Sequence, residues 1–212
     1  RGYTVKDKSS DLELDIDNQY IMSPKDLKTI GFLNKMLDAG VRVLKIEGRA
    51  RGAEYVDTVV RCYKEAVEAW QAGEYADNSV IEPKIADWNE RLSRVFNRGF
   101  WDGYYQGQRL GEWTHEYGNK ATRKKIYAGK CTNYFKNLGV AEFLIEAVEQ
   151  VGEGASCLIT GETTGVYECV AQNMHDDQGK PTVRVEKGQY FAIKTETLIR
   201  RGDKMYLWTT EC

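Results

Sequence analysis

Apolar positions recur every three to four residues in the first half of the chain and every second residue in most of the second half, so the two halves predict different structure. A hydroxyl at Ser23, Pro24 behind it and Asp26 two positions further on form a near capping box, which predicts a helix start. Leu27, Ile30, Leu33 and Met36 or Leu37 continue at helical spacing, and Gly40 supplies a left-handed stop. Val41 to Ile46, interrupted by Arg42 and Lys45, reads as a buried strand. A polar loop from Glu47 to Gly52 follows. Val56, Val59, Val60, Tyr63, Val67 and Trp70 then mark one face of a long helix that stops near Gly73. A third helix is predicted from Pro83 to Phe96, with Ile85, Trp88, Leu92 and Val95 inward.

Helix, buried strand, helix is the grammar of an alternating α/β domain, but one parallel strand cannot satisfy its own backbone hydrogen bonds. A predicted hairpin of Tyr3 to Val5 with Leu12 to Ile16, and a short strand at Tyr20 to Met22, are too little to enclose Val41 to Ile46. With Arg1 where an initiator methionine would stand, the expectation is the C-terminal part of a larger α/β protein, cut inside its first domain.

After Phe96 the composition turns to aromatics and glycines, from Asn97 to Tyr105, and a polar linker runs to about Lys125. From there, β-rich runs alternate with turn signals: Lys125 to Phe135, Val140 to Val148, Ser156 to Thr160, Thr164 to Gln172, Thr182 to Val185, Tyr190 to Thr195 and Lys204 to Trp208. Strands this short and this regular predict a small antiparallel barrel or sandwich. The expected division is an α/β portion over 1–110, a linker over 111–125 and a β domain over 126–212.

Thirty basic against thirty-two acidic residues give a formal net charge of -2, which excludes a protein whose whole surface grips nucleic acid but leaves room for a local basic patch. No apolar run is long enough to span a bilayer and no signal-peptide pattern opens the chain, so a soluble, cytoplasmic protein without a membrane partner is expected. The five cysteines form no C-x-x-C pair, and neither of the two histidines has a second histidine at ligand spacing. No metal site is predicted.

The run Asn18-Gln19-Tyr20-Ile21-Met22-Ser23-Pro24-Lys25-Asp26-Leu27, followed by Ala39-Gly40-Val41 and Lys45-Ile46-Glu47-Gly48-Arg49, resembles the block downstream of the cysteine signature in peptidase family U32, the collagenase-like proteases. Asn97-Arg98-Gly99-Phe100 with Gly103 resembles a further family block, and the β-rich tail is similar to the family's C-terminal domain. The resemblance implies an α+β chain: the C-terminal remnant of a TIM-like α/β barrel, followed by a small antiparallel β-barrel similar to those of translation elongation factors. Most of the larger barrel would be a missing N-terminal portion. The family's cysteine signature, which holds an iron-sulfur cluster in several members, is absent from this chain. Where some members carry a further cysteine, Lys28 stands. No cofactor is therefore expected within these residues.

On the barrel the resemblance implies, Lys45, Glu47 and Arg49 sit at the C-terminal end of a strand, where such folds build active sites, and are the catalytic candidates. Alternation would point Lys45 and Glu47 to one side, placing a carboxylate for proton transfer or a clamp for an anion; a structural ion-pair network is the alternative. Arg51 and Tyr55 would contribute to substrate binding, as would Arg98, Phe100 and Trp101, whose mixture of cation and aromatic suits stacking on exposed bases or packing an interdomain hinge. Arg123-Lys124-Lys125 and Arg200-Arg201 with Lys204 are small basic clusters suited to RNA backbone contacts. Three functions follow as expectations. The parent modifies RNA, as similar proteins hydroxylate a tRNA wobble uridine, with tRNA as partner; or it is a collagenase-like peptidase; or the chain is a non-catalytic binding module for RNA or protein. On any of these the chain alone is expected to be inactive.

Overall fold

In the computed structural model of the chain, residues 2–16, 23–115 and 118–209 are described. They group into two compact units, one of residues 1–47 and 58–121 and one of 48–57 and 122–212.

The first unit opens on the expected hairpin, β1 (Tyr3–Lys6) against β2 (Glu13–Ile16), antiparallel with Tyr3 opposite Ile16. The predicted strand at Tyr20 to Met22 lies outside the described residues. Beyond it the helix expected at Ser23 does not form there. Asp26–Leu27 is instead a two-residue strand, β3, and the helical turn begins with a 3₁₀ turn at Ile30–Phe32 that leads into α1 (Leu33–Asp38). The reason is competition from distant partners. The Ser23 carbonyl accepts from Thr114 N at 2.9 Å, Pro24 bridges to Trp113, and the Asp26 carboxylate is taken by Arg98. The Ser23 backbone and the Asp26 carboxylate are therefore held in tertiary contacts. Gly40 does end the helix, with φ at 98°.

Val41 to Ile46 is not a buried strand. The segment belongs to no strand, and Val43 is 83% exposed. A parallel strand needs neighbours on both edges, and the described residues supply none for it.

Helix α2 (Ala53–Gln71) and helix α3 (Asn78–Arg94) are joined by a 3₁₀ turn at Glu74–Ala76. The buried stripe of α2 is Val59, Cys62, Ala66 and Ala69, rotated from the valine face that periodicity suggested; Val56 and Val60 are exposed. Helix α3 starts five residues before Pro83 because Asp77 caps it, its carboxylate accepting from Ser79 N at 2.9 Å. Trp88, Leu92 and Val95 are buried as expected. The two helices are pinned at Glu65, which accepts from Trp88 Nε1 at 2.9 Å and from both terminal nitrogens of Arg91 at 2.6 and 2.9 Å. The Arg91 guanidinium, and then Trp88, hold the Glu65 carboxyl below its usual value. A lowered pKa contributes stability that is present above pH 4.5 and is lost as the pH falls through the lowered value. Glu65→Gln is therefore expected to cost the helical unit roughly 1 kcal/mol at neutral pH, the pair being partly solvated. The cost should shrink in acid, as read by unfolding midpoints from pH 7 to 3. Strand β4 (Phe100–Trp101) closes this unit, parallel to β3.

The second unit is β-rich, as the alternation predicts. Its strands are β5 (Lys124–Phe135), β6 (Val140–Ile145), β7 (Gln150–Gly152), β8 (Ser156–Gly161), β9 (Gly165–Val170), β10 (His175–Asp176), β11 (Arg184–Glu186), β12 (Tyr190–Lys194) and β13 (Lys204–Thr209). Seven of them form one antiparallel sheet in the order β10-β12-β6-β5-β13-β8-β9, while β7 pairs separately with β11. Register shifts at Cys131/Asn133 and at Met205/Tyr206 mark irregularities in β5 and β13. The sheet's inner face carries the core, with the rings of Phe143 and Phe191 5.7 Å apart among Ile145, Ile159, Ile193 and Met205.

Outside that core, the Tyr127 hydroxyl donates to Glu146 at 2.5 Å, and this bond, with desolvation behind it, pushes the phenol up to about 12. A raised pKa contributes stability that is whole below about pH 10 and is lost as the pH climbs through the folded value. Tyr127→Phe should consequently be less stable than the parent at pH 8, and the difference should vanish towards pH 12 in chemical denaturation curves.

Candidate functional site

The sequence candidates fall into two groups, one on each unit. Lys45 and Glu47 lie in the irregular segment of the first unit, both exposed; Arg49, Arg51 and Tyr55 belong to the second. In the second unit, a Cβ at Gly48 would lie 2.9 Å from Val56 Cγ2, so a larger residue there would oblige the Val56 side chain to turn. Gly52 offers its carbonyl to Tyr55 N and Val56 N at 3.1 and 3.3 Å, starting α2. Between them Ala50 holds φ at 55°, a left-handed conformation that costs a non-glycine residue about 1 kcal/mol. Such strain is retained where surrounding contacts dictate the backbone. The Arg51 guanidinium lies 5.8 Å from the Tyr55 ring centroid. One residue before Tyr55, Glu54 pairs with Lys125 Nζ at 2.7 Å, and that ammonium sits 4.6 Å from the Tyr206 ring. The start of α2 is thereby clamped to β5 and β13. Nothing in the sequence marks Glu54 for this, and Lys125 stands out only as part of a basic cluster.

The first unit builds the denser group around the short β3–β4 ladder. Asn97, 4% exposed, accepts from Gly99 N at 3.1 Å and donates to the Val95 carbonyl at 3.0 Å, so the chain turns sharply off α3 through Gly99 at φ 84°. This brings Arg98 to Asp26, whose carboxylate accepts from Arg98 N at 2.9 Å and from Nη2 at 3.2 Å. Arg98 Nε is buried and has no acceptor among the described residues. On the next residues, Lys28 Nζ donates to Asn89 Oδ1 at 2.7 Å and lies 4.4 Å from the Phe100 ring. Burial lowers the Lys28 pKa, with nearby Asp102 opposing it. Trp101 meets Tyr104 edge-on at 5.3 Å; Tyr104 and Tyr105 are 62% and 61% exposed. On the ladder's other flank Lys25 pairs with Glu112 at 2.6 Å, and Gln108 donates to the other oxygen of Glu112 at 2.9 Å.

Arg98, Phe100 and Trp101 are thus brought together, and sequence reasoning missed their partners Asp26, Lys28 and Asn89. Asp26 reads as a helix cap, and Lys28 and Asn89 carry no local signal. Chemically, the cluster sets two cations beside exposed aromatic faces, a combination suited to anionic and planar ligands. Among the described residues no His, Cys, Asp and Glu side chains gather in a set able to hold a metal ion. Lys28 is no thiolate ligand, and these residues do not fit an iron-sulfur cluster. No helix among the described residues is long and apolar enough to cross a membrane.

The chain belongs to peptidase family U32, whose family model matches residues 1–115. It is 59% identical over 97% of its length to a collagenase of Porphyromonas gingivalis, of which it covers 48%. It is 38% identical over 43% of its length to the tRNA hydroxylation protein P1 of Bacillus subtilis, covering 20% of that protein. Among solved structures, the C-terminal domain of a U32 peptidase from Geobacillus thermoleovorans matches 38% of the chain at 16% identity with a TM-score of 0.36, over 96% of its own length. The chain spans about half the length of the P. gingivalis relative.

Proposed function

We propose that the chain is the C-terminal part of a U32 protein that modifies RNA, of the kind that hydroxylates a tRNA wobble uridine. The observation carrying this reading is the cluster on β3 and β4. Lys28 is seated on Phe100, the partly exposed Arg98 lies beside it against Asp26, and Trp101 leads into the exposed Tyr104 and Tyr105. Cations fix phosphates and aromatic faces accept unstacked bases, the two elements of single-strand RNA recognition. The tRNA hydroxylation relative supports the same reading. In this account the first unit completes a TIM-like barrel in the cytoplasmic parent and carries Lys45 and Glu47 as its acid-base candidates, while Arg49, Arg51 and Tyr55 are anion- and substrate-binding candidates on the second unit.

A second reading, a collagenolytic peptidase, is favoured by the 59% identity to a protein named collagenase. Full-length protein offered gelatin and bulk tRNA side by side separates the two. Salt-sensitive tRNA binding with intact gelatin is expected; gelatin cleavage without tRNA binding would establish the second reading.

A further inference from the structure

Cys157 and Cys169 are direct register partners on the antiparallel strands β8 and β9. Directly opposed residues on antiparallel strands have Cα atoms about 4.5–5.5 Å apart and side chains on one face of the sheet, inside the range a disulfide spans. Both side chains point to the core face, where Cys157 is buried and Cys169 packs against the cluster partly exposed, on the sheet's edge strand. No turn, ligand or catalytic role described above uses them.

We propose that Cys157 and Cys169 form a reversible cross-strand disulfide when the protein meets a peroxide. Cys169, the more accessible sulfur, is the attacking thiolate. The adjacent Cys157 thiol lowers the Cys169 pKa, while Cys169 and then burial raise that of Cys157, whose Sγ donates to the Ala155 carbonyl at 3.5 Å. The Cys169 thiolate attacks a peroxide oxygen: an S–O bond forms, the O–O bond breaks, and the departing hydroxide takes up the proton that Cys169 released. Cys157 then attacks the sulfenic sulfur, forming S–S and breaking S–O. Its thiol proton leaves with the hydroxyl as a second water. Two thiols and one peroxide give one disulfide and two waters, the cysteines being oxidised and the peroxide reduced. Cys62 and Cys131 have no thiol opposite them; burial pushes both up to about 11, leaving them inert.

The test exposes the chain to hydrogen peroxide at a dose that oxidises free glutathione in the same tube. Remaining thiols are then blocked with N-ethylmaleimide, and intact mass and a non-reducing peptide map are read. The expected result is loss of two hydrogens, a cross-link between the peptides holding Cys157 and Cys169, and full reversal by dithiothreitol. Cys131→Ser should behave as the parent, and Cys169→Ser should lose the link. Overturning results are both thiols still blocked by maleimide, accumulation of sulfinic acid at Cys169 with Cys157 still blockable, or a link through any other cysteine.

Discussion

Gly129→Ala is expected to cost the β-rich unit about 3 kcal/mol or more, at the upper end of overpacking penalties, and in a marginal background to prevent its folding. Gly129 is buried in β5, and a Cβ there would stand 1.9 Å from the Leu144 carbonyl oxygen and 3.1 Å from Ile145 Cα. Those are backbone atoms of β6, its direct ladder partner, so no rotamer change relieves the contact. The strands would have to part beside Ile145, whose side chain anchors the core next to Phe143. The contrast is Gly31→Ala, where nothing lies within 4 Å of the added carbon and φ is not left-handed. There a small gain, about 0.4–1 kcal/mol, is expected from the restricted unfolded chain. Urea unfolding of the two variants measures both; a loss of less than 1 kcal/mol for Gly129→Ala would contradict this packing.

Lys28→Met in the full-length protein is expected to weaken tRNA binding about tenfold or more, within the energy of a stacked, partly desolvated cation, without unfolding the helical unit. Methionine keeps the length that fills the space over Phe100 and removes an ammonium whose burial already disfavours its charge. The bond to Asn89 is lost, but Asn89 is partly solvated and can turn to water. Affinity should fall and the salt dependence should flatten by about one phosphate contact, while the unfolding midpoint holds. A variant that binds tRNA like the parent would remove Lys28 from the interface.

The β-rich unit was legible because alternation survives in sequence: six runs between Lys125 and Trp208 match strands to within a residue or two at either end, among them Ser156–Gly161 and Tyr190–Lys194. The two-residue strands β3, β4 and β10 were not, since no period exists over two residues. Val41 to Ile46 has a strand's composition without a strand's neighbours, and composition cannot report the neighbours. Helix α2 was found from its spacing but turned wrongly, because cysteine and alanine mark its buried face more weakly than valine. At the candidate site, Arg98, Phe100 and Trp101 could be picked from their chemistry. Asp26 and Lys28 could not, because their partners are 72 and 61 residues away. Pairings of that kind are decided by tertiary structure alone.

The central claim, that the parent modifies tRNA, is tested most directly by nucleoside mass spectrometry of tRNA from a strain lacking the gene and from the same strain carrying it again. Hydroxylated wobble uridine is expected to fall in the first and return in the second, and to return only in part when the restored gene carries Lys28→Met. Unchanged wobble-uridine hydroxylation in the deletion strain would contradict it.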